Sequence, residues 1–195
     1  MIELPESPAP NGMVPRLTDP GFVQRGASAL RINRPGSHWA FELTFPPMRP
    51  ELSRRFIARL LRAKREGLRI KLPLLGEHQG IPGAPVVDGA GQAGTSLAVR
   101  GLTPGYVAKE GFWFHIVRAA TGKQYLHKVF GTAITGADGK AVMQIEPALR
   151  VPFADGDMIE LAAPEVEGFV DGDSWGWEVP VNRLIALAVT VEEYA

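Results

Sequence analysis

Seven basic side chains crowd a short stretch of the chain: Arg49, Arg54, Arg55, Arg59, Arg62, Lys64 and Arg65. All but one are arginine. The planar guanidinium fork pairs with carboxylates and phosphates, so the chemistry on offer is anion recognition. Nucleic acid is one candidate partner for such a segment. Yet residues 138–195 carry twelve acids against Lys140, Arg150 and Arg183. A duplex would have to bind against that acidic third. No helix-turn-helix, zinc module or aromatic stacking motif accompanies the arginines. A protein carboxylate fits at least as well, and a second copy of this chain supplies one. The bland alternative is a solvated helix face.

Other residues with chemical potential are sparser. His115 and His127 flank a turn containing Thr121 and Gly122. A three-residue loop there would set them directly opposite each other. A metal needs at least one more ligand and none is evident, so a surface cross-strand pair is the favoured reading. His38 and His78 have no local partners. Asp155-Gly-Asp157 and Asp171-Gly-Asp173 resemble fragments of calcium loops but lack the spacing and terminal Glu of an EF-hand. Asp-Gly is first of all a turn dipeptide. Gly101 and Gly105 form no phosphate loop, because no Gly-Lys-Ser/Thr follows. There is no G-x-S-x-G and no plausible pair of catalytic carboxylates. No enzyme activity, cofactor or metal is therefore expected. Trp113 reads as core. Trp175 and Trp177, two residues apart, would share one face of an extended segment. Edge or core cover is the default for them, with a sugar platform or an interface patch as alternatives.

The elements that must position these groups follow from periodicity. In His38–Phe45, Trp39, Phe41, Leu43 and Phe45 alternate with smaller or polar residues, which predicts a strand with one buried face. Pro46 and Pro47 cannot donate to a ladder and should end it. Pro50 suits the first turn of a helix. Leu52, Phe56 and Leu60 recur every four residues, with Ile57 and Leu61 widening the stripe, and Gly67 is placed to end the helix. The segment 50–66 reads as an amphipathic helix with its charges outward. Strands are expected at 22–34, 68–75, 95–100, 106–108, 111–118, 124–134, 140–146, 157–162 and 181–191, separated by turn signals. That spacing predicts a mainly β chain: an antiparallel sandwich or barrel with one helix packed on it. Residues 1–20 read as an extended N-terminal arm and 21–195 as a single β-rich domain. Residues 76–94, rich in glycine, read as a long loop, mobile or ordered at an interface.

Composition bounds the setting. The 195 residues contain no cysteine, which excludes a disulfide scaffold and thiolate zinc sites. The N-terminus, MIELPESPAP, lacks the basic start and apolar run of a signal peptide. The longest apolar runs are far short of a membrane span. A soluble protein, kept inside the cell until assembly or release, is expected. Net charge is zero, yet basic residues gather in the middle and acids toward the end. Such polarity bears on partners more than on fold.

The order of the pieces carries a resemblance. "HWAFELTFPPM" leads into "FIARLLRAKREG", then the glycine-rich stretch, "GLTPG", "EGFWFHIV" and "YLHKV". "ADGKAVMQIEPALRVPFADGDMIELAAP" follows, with an acidic, tryptophan-containing end. Over roughly residues 36–193 this is similar to tail-region structural proteins of long-tailed bacteriophages and prophages, of the distal tail or baseplate-hub kind. The stretch "GKAVMQIEPALR" and the Asp-Gly-Asp turn after it are the most characteristic parts. The resemblance implies a virion protein of the tail, assembled in the host cytoplasm, forming a hexameric ring that joins the tail tube to the tip. Its implied partners are itself, the tail tube and the tip proteins, with no stable nucleic-acid binding and no membrane insertion. Another virion connector (tail-tube, tail-terminator or head–tail joining protein) and a carbohydrate- or host-surface-binding module are the alternatives. On this reading Arg54, Arg55, Arg59, Arg62, Lys64 and Arg65 form one interface patch. Asp171, Asp173, Trp175 and Trp177 form the other.

Overall fold

A computed structural model of the chain describes residues 1–24, 30–32, 36–74, 76–172 and 174–194, with only the backbone described at 22–24 and 30–32. In chain order the elements are β1 (Ile2–Glu3), β2 (Gly12–Thr18), β3 (Phe22–Gln24), β4 (Leu30–Ile32), β5 (His38–Met48), α1 (Pro50–Glu66), β6 (Leu68–Lys71), β7 (Gly83–Val87), β8 (Gly94–Leu102), β9 (Val107–Ala108) and β10 (Trp113–Arg118). They continue as β11 (Lys123–Val129), β12 (Ala133–Ile134), β13 (Ala141–Leu149), β14 (Met158–Glu160), β15 (Glu165–Val170) and β16 (Ile185–Glu193). The chain is mainly β, with antiparallel sheets, a closed six-stranded barrel and one helix. Among the described residues, no helix is long and apolar enough to cross a membrane.

Where one domain was expected over 21–195, two compact units divide the chain. The first comprises Met1–Arg16, Trp39–Leu75 and Glu165–Tyr194; the second comprises Leu17–His38 and Gly76–Pro164. The N-terminal residues expected as an arm contribute β1 and β2 to a sheet. The chain runs out of the first unit after β6 and returns at β15. These two strands are antiparallel neighbours, with Glu165 opposite Lys71, so the exit and the return lie side by side.

The first unit is a six-stranded sheet in the order β1-β6-β15-β16-β5-β2, in which the short β1–β6 pair is parallel and the β6–β15, β15–β16 and β16–β5 pairs are antiparallel. Phe41, Leu43 and Phe45 are buried on β5, as the alternation predicts. The strand does not end at the prolines. Phe45 pairs with Leu187 and Met48 with Ile185, so Pro46 and Pro47 together oppose one residue of β16. This is a β-bulge, where missing N–H donors break no ladder bond.

α1 forms over the expected span. Pro50 opens it, and Gly67, at φ 79°, closes it by donating its N–H to the Ala63 carbonyl at 2.8 Å. Phe56 and Leu60 are fully buried, and Phe56 meets Phe45 edge to face at 5.3 Å. The stripe is rotated from the expected one. Ser53 and Ala63 are buried, whereas Leu61 is 47% exposed. Residue 61 lies about 100° around the helix from Leu60, which carries it off the buried face.

The second unit centres on a barrel, β10-β11-β13-β8-β7-β14, that closes by pairing of β14 with β10. Closure leaves no free sheet edge. Leu97, Val99, Phe114, Ile116, Met143 and Ile145 fill its interior. Here the expected loop at 76–94 is corrected, because Gly83–Val87 is a barrel strand and Gly94 begins β8. Two glutamines tie the remaining parts down. The buried Gln79 side chain accepts from Trp113 N–H at 2.7 Å and donates to the carbonyls of Trp113, at 2.7 Å, and Leu161. Gln92 accepts from Ala98 N–H and donates to the Ala98 carbonyl. Each amide stands in for a strand's backbone. Gly101, at φ 82°, allows the approach of β7, since a Cβ there would lie 2.5 Å from the Ala84 carbonyl oxygen. Two ribbons, β9–β12 and β3–β4, complete the pairing.

Candidate functional site

The outer face of α1 carries the expected cations, and it can be built residue by residue. Arg54 donates to the Pro50 carbonyl and Arg59 to the Glu3 carbonyl. Arg62 pairs with Glu66 one turn on, at 2.7 Å, which raises the arginine's pKa and lowers the carboxylate's, in each case chiefly through that hydrogen bond. Lys64 donates to the Gly172 carbonyl at 2.7 Å. Arg55 has no carboxylate partner among the described residues, and Arg65 touches acidity only through the field of Glu66. Ala58 and Leu61 are exposed between these cations. Spacing of three and four residues lines up Arg54 and Arg55, Ala58, Leu61 and Arg62, and Arg65 along one face. The result is an apolar centre with a cationic rim. Sequence reasoning missed that centre because it assigned Leu61 to the core.

The acidic, aromatic patch is only partly what the sequence suggested. Asp171 is exposed, and Lys64 of α1 reaches the carbonyl of the next residue. Asp173 lies outside the described residues. The rings of Trp175 and Trp177 are 5.5 Å apart and tilted by 38°. Trp175 donates its indole N–H to the Ala188 carbonyl of β16 at 2.7 Å. The β15–β16 ladder runs only as far as Asp171 N–H on Thr190 O, so Trp175 covers β16 beyond the point where its neighbour leaves. That is edge cover, with Trp177 left 41% exposed.

Many of the acids that make the C-terminal third look anionic are committed inside the fold. Glu167, 3% exposed at its side chain, faces Arg69 across the β6–β15 ladder at 2.6 Å. Glu193 accepts from the Trp39 N–H at 2.8 Å. Asp157 accepts from Ala119 and Ala154 N–H groups, and Glu160 from Ala162 and Ala163. Asp155 pairs with Arg100, which also pairs with Asp88 at 3.2 Å; Lys140 adds a 2.9 Å contact to Asp88. These hydrogen bonds hold Asp155 and Asp88 below the usual carboxylate range, through Arg100 and Lys140 respectively. The Asp155-Gly-Asp157 turn is thus a backbone and arginine anchor. Among the described residues, no three His, Asp or Glu side chains group as a metal site would.

The histidine pair is corrected. Arg118 pairs with Lys123, so the loop holds four residues, not three, and the register slips by one. His115 faces Leu126, and His127 faces Phe114. The two histidines therefore point to opposite sides of the hairpin. Neither is on the surface: both are buried. His127 Nδ1 is 2.9 Å from the Pro147 carbonyl and must carry the proton, while Nε2 has no hydrogen-bond partner among the described residues. The ring stacks on Phe114 at 5.6 Å. Burial drives its pKa down to about 3, with the Arg150 charge adding to that and the Pro147 hydrogen bond opposing it. Trp113 is core, with the Lys128 ammonium 4.7 Å from its ring centre.

A cleft of about 480 Å³ lies in the first unit beside β6, walled by Pro5, Pro8, Pro10, Phe45 and Leu72. Its cations Arg69 and Lys71 are already engaged, by Glu167 and Glu6 respectively. Nothing in its lining forms a nucleophile–base pair. The arrangement with most capacity for recognition is the exposed face of α1. The chain matches no protein-family model and no curated protein.

Proposed function

We propose that this chain is a structural subunit of a phage or prophage tail, a distal tail protein that forms a ring between the tail tube and the tip. The observation that carries the reading is the outer face of α1. Its cations cluster around exposed Ala58 and Leu61, and Arg55 has no carboxylate partner among the described residues. An apolar centre rimmed by arginine is the composition of a protein interface rather than of an idle surface. The sequence resemblance supplies the setting, and the mainly β fold is compatible with it. Ring subunits join through two different patches in a head-to-tail contact that closes on itself. A chain with no net charge sets up little overall repulsion between copies.

Electron microscopy of the purified protein tests the reading. Closed rings of one copy number are expected. A protein that stays monomeric at every concentration, both alone and mixed with tail-tube protein, would sink it. Tight duplex binding that falls steeply with salt would assign the α1 arginines to nucleic acid instead.

A further inference from the structure

A cleft of about 470 Å³ opens along one side of α1, where the helix packs beside β1. Met1, Ile2 and Glu3 form one wall; Ala58, Arg59 and Arg62 form the other. Residues three apart on a helix are neighbours, so the two arginines stand side by side. Each guanidinium is held at one nitrogen. Arg59 donates from Nη1 to the Glu3 carbonyl at 2.7 Å, and Arg62 from Nε to Glu66 at 2.7 Å. Neither has another hydrogen-bond partner among the described residues, so each keeps unused N–H donors. A guanidinium already pinned has less freedom to lose on binding, which pre-organises the pair for an oxyanion.

Charge selects among oxyanions. Arg55, one turn before Arg59, adds a third cation with no carboxylate partner among the described residues. Two carboxylates already stand at the site, Glu3 in its wall and Glu66 on Arg62. Both repel an incoming anion. They repel a doubly charged phosphate, or a strand carrying several phosphates, more strongly than a single carboxylate. Ile2 and Ala58 add apolar surface that suits the methylene stem of an acidic side chain. We infer that this cleft binds one carboxylate, the side chain of an Asp or Glu presented by a protein partner, with its oxygens on Arg59 and Arg62. The identity of the partner rests on the ring-subunit reading, which makes it the neighbouring copy.

Nuclear magnetic resonance of the labelled chain, at a concentration where it sediments as a monomer, tests the cleft. Arginine Nε–H signals are followed as N-acetylglutamic α-amide, a singly charged carboxylate, or inorganic phosphate is added. The glutamate probe should shift Arg59 and Arg62 saturably, with half-saturation in the millimolar range, and phosphate should need more. Arg62→Lys keeps the charge and loses the planar fork, so it should raise the half-saturating concentration by about tenfold. Arg65→Lys, on the same helix but outside the cleft lining, should leave it unchanged. A shift that never saturates, that Arg62→Lys leaves as it was, or that phosphate produces at lower concentration overturns the inference. Assembly separates the two readings. Rings that form equally well from Arg59→Lys/Arg62→Lys sink the cleft as the contact between copies, while the ring reading survives. Saturable binding of the glutamate probe by a chain that forms no rings sinks the ring reading and leaves the carboxylate cleft standing.

Discussion

His127 gives the second unit a stability that begins to fall with pH above the range where carboxylates titrate. The ring is fully buried and its pKa is lowered from 6.5 to about 3. The folded state therefore holds the neutral form, whereas the unfolded chain takes up a proton below pH 6.5. A base with a depressed folded pKa loses stability as pH falls below its unfolded value, and the loss levels off near the folded one. At about 1.4 kcal/mol per unit, the full span from 6.5 to about 3 corresponds to roughly 5 kcal/mol. Only part of this is reached at pH 5, about 2 kcal/mol by the same linkage. The assay is denaturant unfolding at pH 7.5 and pH 5, followed by circular dichroism. The stability of His127→Phe, which keeps a ring against Phe114 but cannot titrate, should fall by about 2 kcal/mol less over that interval. The comparison isolates His127 from His38 and His115, which are also buried. An identical pH dependence in the variant would refute the reasoning, because the titrating group would then lie elsewhere.

Three further outcomes follow from single contacts. Gln79→Ala strands the Trp113 N–H and carbonyl and the Leu161 carbonyl inside the protein, so chemical denaturation should show a loss of about 3 kcal/mol. Gly168→Ala would place a Cβ 2.0 Å from the Glu192 carbonyl oxygen, on the strand paired with β15; a loss of at least about 2 kcal/mol is expected by the same measurement. The triple variant Arg55→Glu/Arg59→Glu/Arg62→Glu should leave the monomer folded, by circular dichroism, and abolish ring formation in micrographs, because all three side chains are exposed on α1.

What the sequence revealed and what it hid have physical causes. The alternation of β5 and the four-residue recurrence of α1 were legible because one buried face imposes a period over ten residues or more. The strand β7 was not, since "GAPVV" contains glycine and proline and shows no alternation, and its pairing with β8 and β14 is set by the barrel around it. β15 was hidden too: "EVEGFV" places a glutamate inward, and only Arg69 on the adjacent strand makes that acceptable. The histidines were misplaced by a single loop residue, because register has a period of two and one slip exchanges the faces. On the candidate site, the arginines were legible from composition, but Leu61 was not. Which side of a helical stripe ends at solvent depends on the sheet beneath it. Trp175 and Trp177 were visible as a pair; the exposure of Trp177, Val179 and Val181 was not, because alternation alone predicts burial.

A density map of the assembled tail tests the central claim most directly. The account predicts this chain in a closed ring at the junction of tail tube and tip, with the outer face of α1 of each copy covered by its neighbour. Finding the chain at another position in the particle, or absent from it, would contradict the assignment.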